Sequence, residues 1–164
     1  MQITFEALLK QYQPMLSRVA SSYEANPSLQ QELLQEICLA VWQAMQNFRQ
    51  QSSVKTFILR VAHNKAISHV AHHARFPNNQ SYCEVTEPSA DSAPMQEHAL
   101  EQQAKIEKLL SAVRNLPLQS RQVITMSMEG LSYKDIANVC GLNESHVGVI
   151  INRTRNSLEE YINS

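Results

Sequence analysis

Apolar residues in the first 75 positions recur every three or four residues and do not alternate, which is the period of helices packed on one side. Residues 4–23 set Phe5, Leu8, Leu9, Tyr12, Leu16 and Val19 on one broad face. Pro14 falls inside this run, has no N–H to give, and is expected to kink or interrupt the helix. A second helix is predicted to begin at Asn26-Pro27-Ser28, with Ser28 as cap and Gln31 placed as in a capping box. Its inward stripe is Leu33, Leu34, Ile37, Val41, Ala44, Met45 and Phe48. A third starts after Ser52-Ser53 and runs to about Ala74, burying Val54, Phe57, Ile58, Val61, Ala62 and Val70.

The period then disappears. Residues 76–94 hold three prolines, many Ser and Asn, and acids without Lys or Arg, which reads as a flexible linker between units at 1–75 and 95–164. In the second unit a helix spans roughly 95–114 and stops at Leu116-Pro117; a shorter one follows from about Leu118 to Met128, closed by Gly130. Ser132 with Asp135 three residues on predicts the start of a two-turn helix at Tyr133, and Gly141 offers the left-handed residue that ends it. A last helix runs from about Asn143 to Tyr161. Two helices joined by a short glycine-containing turn make a helix-turn-helix, whose second member enters the DNA major groove. The fold class expected is all-α, in two small helical domains.

Composition agrees. Of 164 residues 43% are hydrophobic and 18% charged, so the chain should fold, and only 3 Gly and 6 Pro leave little material for hairpins. No apolar run is long enough to span a membrane, and the N-terminus has no signal-peptide features; a cytoplasmic protein without membrane insertion is expected. Cysteines at 38, 83 and 140 have no CxxC spacing, against a disulfide framework or a cysteine zinc site. Cys38 and Cys140 are expected to be small buried hydrophobes and Cys83 an exposed thiol.

The net charge of −1 conceals an uneven distribution. From Ile37 to Cys83 there is no acid, while Arg49, Lys55, Arg60, Lys65 and Arg75 interleave with Trp42, Phe48, Phe57 and Phe76. Cations and aromatics without acids suit a surface that meets phosphates and stacks on bases, or a solvated basic helix face. His69 and His73 stand four apart on a predicted helix, but no third ligand is evident and HExxH is absent. The four histidines at 63, 69, 72 and 73 are therefore read as surface groups that add positive charge at lower pH, with no metal and no cofactor expected. Enzyme motifs are lacking: there is no phosphate-binding glycine loop, nucleophile elbow or paired carboxylates.

Two blocks of the sequence, in order, resemble RNA polymerase sigma factors of the sigma-70 family, extracytoplasmic-function type. Glu32-Leu33-Leu34-Gln35-Glu36 and Thr56-Phe57-Ile58-Leu59-Arg60-Val61-Ala62-His63-Asn64 match the first block. Leu116-Pro117, Arg121, Gly130-Leu131-Ser132-Tyr133-Lys134-Asp135-Ile136-Ala137, Val147, Arg153 and Arg155 match the second. The resemblance implies that Glu32, Leu33, Gln35 and Glu36 bind core RNA polymerase. It implies further that Arg49, Gln50, Gln51, Ser52, Lys55, Arg60, Asn64 and Lys65 meet the melted −10 element of promoter DNA, with a flipped base held in the loop at 49–53. Phe57 stands where the family has tryptophan and is expected to be core more than stacking platform.

In the last helix, Val147, Ile151, Thr154 and Leu158 form the expected buried stripe. This leaves Ser145, His146, Gly148, Val149, Asn152, Arg153 and Arg155 to face the −35 element. Gly148 and Ile150 depart from the family, which commonly has Lys or Arg there; Val149 and Ile150 could touch thymine methyls or pack on protein. A dedicated anti-sigma factor is a partner expected by resemblance alone. Two other readings fit parts of the chain: a helix-turn-helix regulator dimerising on a palindrome, and a degenerate sigma-like module that binds only protein.

Overall fold

The computed structural model describes residues 4–75 and 97–164, which form seven helices and, among the described residues, no strand. α1 (Phe5–Tyr23) starts where the Thr4 side chain accepts from the Ala7 N–H at 3.3 Å. It passes through Pro14 without interruption: Pro14 is exposed, so the carbonyl left without its N–H partner can be met by water. α2 (Pro27–Met45) is capped by Asn26 and not by Ser28. The Asn26 Oδ1 accepts from the backbone of Ser28 and Leu29 at 2.9 and 3.2 Å, and Pro27 takes the first helical position, where its missing N–H costs nothing. α3 (Val54–Arg75) begins under Ser53, whose Oγ accepts from the Thr56 N–H at 3.1 Å.

These three helices share a core of Leu8, Leu16 and Val19, Leu33, Ile37 and Val41, and Ile58, Leu59, Ala62 and Ala66. Each large aliphatic side chain contributes about 1.5–3 kcal/mol by leaving water. Leu59 and Ala66 are fully buried where Val54, Phe57 and Val70 are only half-buried, so α3 is rotated from the expected stripe. That rotation takes His63 into the core with 0% exposure, correcting its reading as a surface group. The Tyr23 hydroxyl and His63 Nδ1 share a 2.8 Å hydrogen bond. Burial holds the imidazole neutral, with its pKa down at about 3, and pushes the Tyr23 phenol up.

α4 (Glu97–Arg114), α5 (Leu118–Met128), α6 (Tyr133–Cys140) and α7 (Glu144–Asn163) make the second unit. Arg121 does the capping between α4 and α5: its Nη2 donates to the carbonyls of Arg114 and Leu116 at 2.5 and 2.9 Å. Ser132 accepts from the Asp135 N–H at 3.1 Å, and Gly141 closes α6 at φ 69°, as the sequence predicts. Cys38 and Cys140 are half-buried, not buried, and burial raises both thiol pKa values, Cys140 to about 11, which favours the protonated thiol at neutral pH. Cys83 and the linker at 76–94 lie outside the described residues.

The two units lean on one another. α1 packs against α4 and α5, and α3 against α5 and α6. Arg18 on α1 forks onto the Glu129 carboxylate at 2.7 and 2.9 Å, and Arg114 donates to the Ser21 carbonyl at 2.8 Å. The Arg121 guanidinium lies 5.3 Å from the centre of the Tyr23 ring. Among the described residues, one hydrophobic core of buried side chains runs through both units.

Candidate nucleic-acid interface

On α2 the buried stripe leaves Glu32, Gln35 and Glu36 exposed, as expected of a docking edge. Leu33 is fully buried and cannot touch a partner; it anchors the helix from within, which corrects its place among the contact residues. The same outer face carries Leu39 at 55% and Trp42 at 44% exposure, which the sequence reading passed over. Positions 35, 39 and 42 stack along one side of a helix, so the polar edge continues into an apolar one. The Trp42 ring meets Phe5 edge-on at 6.5 Å, which orients it without covering it. The spacing from Gln35 was the available signal.

The turn between α2 and α3 holds Arg49, Gln50 and Gln51 exposed and Ser52 half-exposed. Gln50 takes φ 56°, the left-handed region that side-chain-bearing residues seldom adopt. Helices fixed on either side hold it there and turn its neighbours outward. Beside the turn, Phe57 is half-buried and packs on Phe48 at 4.8 Å between ring centres, which supports a wall more than a free stacking platform. Arg60 and Asn64 are exposed one turn apart on the adjoining face of α3, and Lys65 is half-buried off to one side. Lys55 is separate from them: its ammonium donates to the Glu129 carbonyl of the second unit. A cation read as a phosphate contact is therefore spent on an internal contact in this arrangement.

In α7 the Asn143 side chain accepts from the His146 N–H at 2.7 Å and sets the start of the helix. Val147, Ile151, Thr154 and Leu158 are buried as expected, joined by Ile150, whose alternative of meeting thymine is thereby removed. Ser145, His146, Val149, Asn152, Arg153 and Arg155 are exposed. The middle of that face also carries exposed Asn156, which helical spacing from Ser145, Val149 and Asn152 would have found. Gly148 is half-buried beneath Tyr133: a Cβ there would lie 3.5 Å from the ring. It is a packing position between α6 and α7, not an empty cation position.

Comparison with known proteins gives the same two blocks. The model of sigma-70 region 2 matches residues 8–76, and that of sigma-70 region 4 matches residues 106–158. Similar curated proteins include the extracytoplasmic-function RNA polymerase sigma-E factor of Haemophilus influenzae, 24% identical over 96% of this chain and 87% of that one. The RNA polymerase sigma-H factor of Pseudomonas aeruginosa is 26% identical over 95% of this chain and 84% of that one. Among solved structures, the sigma factor RpoE of Bartonella quintana, crystallised with the anti-sigma factor NepR, shares the fold with a TM-score of 0.73. It is 23% identical, with 97% of this chain and 96% of that one covered. CnrH, in complex with the cytosolic domain of CnrY, gives 0.67 at 21% identity, covering 97% and 87%. With both regions matched in order across most of its length, and with the helices those regions need in place, the chain belongs to the sigma-70 family of RNA polymerase sigma factors, extracytoplasmic-function type, and serves transcription initiation.

Proposed function

We propose that residues 1–75 bind core RNA polymerase and the −10 element, and that residues 95–164 read the −35 element. The observation that carries this is the pair of faces on the first unit: an α2 edge of Gln35, Glu36, Leu39 and Trp42, next to an acid-free turn and an α3 face bearing Arg60 and Asn64. An exposed aromatic beside polar anchors is the composition of a protein-binding hot spot. Cations and amides next to a turn that displays Gln50, Gln51 and Ser52 suit phosphates and unstacked bases. Arg49 lies in the same turn and completes the cationic rim.

Opening of DNA requires no bond chemistry from this chain. It favours the melted strand by binding it better than the duplex, which shifts a population and leaves catalysis to the polymerase. We assign it no enzymatic activity and place it with the polymerase in the cytoplasm; no described helix is long and apolar enough to cross a membrane. Ser145, His146, Val149, Asn152, Arg153 and Arg155 would face the upstream element, with Asn156 added and Gly148 withdrawn to a packing role.

In the free chain the units hold one another closed, with Lys55 committed to Glu129. Core polymerase would separate them and release Lys55, and each unit would then gain from the other's attachment through effective concentration. A groove of about 730 Å³ between α1, α4 and α5, lined by Val19, Ile106, Leu109, Leu110, Val113 and Met128, offers an apolar seat to a helix of an anti-sigma factor.

Run-off transcription on cut genomic DNA tests this reading. Core polymerase with the chain should start at sites that core alone does not use, sharing two sequence boxes upstream. The R60A/N64A variant should lose those transcripts while still binding core. Transcripts that do not depend on the chain would contradict the reading.

A further inference from the structure

The histidine pair on α3 has a third partner that sequence spacing could not reveal. Glu24, the residue that ends α1, lies 45 positions before His69 and brings its Oε1 to 2.9 Å from His69 Nε2. His73, one turn further along α3, stacks beside His69 with ring centres 4.3 Å apart. One ligand atom from each of Glu24, His69 and His73 falls within 4.8 Å of the others. We propose that these three residues form a binding site for a divalent transition-metal ion of the zinc, cobalt or nickel kind. The site is independent of the promoter-binding reading.

The chemistry fits the ion. Two imidazoles and one carboxylate are a common donor set for such metals, with a fourth position left to water. Bonds of about 2.0–2.1 Å in a tetrahedral arrangement put ligand atoms about 3.3 Å apart. The Glu24–His69 pair, at 2.9 Å, is already closer than that, and no separation among the three ligand atoms exceeds 4.8 Å. Magnesium and calcium, which prefer oxygen ligands, are disfavoured by the two nitrogens.

The carboxylate is also held in place. Glu24 Oε2 accepts from the Asn26 N–H at 3.1 Å, while the Glu24 carbonyl accepts from the Gln30 side chain at 2.7 Å. Such outer contacts orient a ligand before the metal arrives. All three residues are half-buried, so they are shielded from general solvent yet reachable. The ion would fasten the end of α1 to the last turns of α3, next in sequence to Tyr23, whose ring meets Arg121 of the second unit.

The test is titration of the purified full chain, stripped with chelator, with Zn²⁺ by calorimetry and with Co²⁺ by visible absorption, using Mg²⁺ as a contrast. The expected result is one Zn²⁺ per chain at micromolar affinity or better, visible Co²⁺ bands, and no heat from Mg²⁺. E24Q, nearly the same shape, and H73A should each weaken Zn²⁺ by about tenfold or more. H98A, an exposed histidine on α4, should not change it. Metal-free melting curves confirm that the variants remain folded. Affinity untouched by both E24Q and H73A, or no saturable binding, would overturn the proposal.

Discussion

His63 shows how far a single side chain can set the behaviour of the protein. It is buried and neutral in the folded chain, with a pKa near 3, while in the unfolded chain it titrates near 6.5. Between those values the unfolded state holds the extra proton, so folding stability falls as pH drops from about 6.5 toward 3. From pH 7 to 5 this one residue should cost about 2 kcal/mol. Urea melts at both values should show that loss in the wild type and most of it removed in H63Q. Gly148 gives a prediction of opposite sign. Its added Cβ would meet Tyr133 at an ordinary 3.5 Å, so G148A should stabilise the chain by up to about 1 kcal/mol through helix propensity. A fall in its urea midpoint would show the contact to be tighter than described. Neither environment was legible in the sequence: a histidine amid basic residues reads as surface, and a glycine in a DNA-reading helix reads as a missing cation.

At the scale of the element, period and capping residues carried most of the information. Five of the seven helices of the described residues begin or end on residues whose role is local: Thr4, Asn26, Ser53, Ser132, Gly141 and Asn143 act within three or four positions of themselves. Which side of a helix faces in is less local. α3 presents Leu59 and His63 inward because α1 and α2 already occupy the flanks, and a helix rich in Val, Ile and Ala has several plausible stripes. The outer face of α2 follows from Leu33, Ile37 and Val41 being buried, and that exposes Leu39 and Trp42 beside Gln35. Truncation of Trp42 to Ala should weaken core-polymerase binding about tenfold, a loss of about 1.4 kcal/mol, with little change in melting temperature. Exposed Gln43, on another side of α2, should tolerate the same change without effect on binding.

The whole molecule adds what no local pattern contains. Arg18 and Glu129 are 111 positions apart, and no periodicity links them; only docking of the two units does. The same docking engages Lys55, so it couples the shape of the free chain to the surface proposed to meet the −10 element. Reversing one charge, R18E, sets like charges against one another at the junction. Small-angle scattering should report a larger radius of gyration. Binding to a single-stranded oligonucleotide should rise severalfold despite the added negative charge, and K55A on that background should abolish the gain. An unchanged radius would mean that the apolar packing between the units holds without the ion pair. The order of the two blocks was legible; their mutual contact was not, because it depends on surfaces meeting in three dimensions. The most direct measurement of the central claim is gel filtration of the chain with bacterial core RNA polymerase, with and without excess housekeeping sigma factor. The account predicts co-elution that the competitor displaces. A chain that elutes alone at micromolar concentration, or runs as a dimer bound to palindromic DNA, would contradict it.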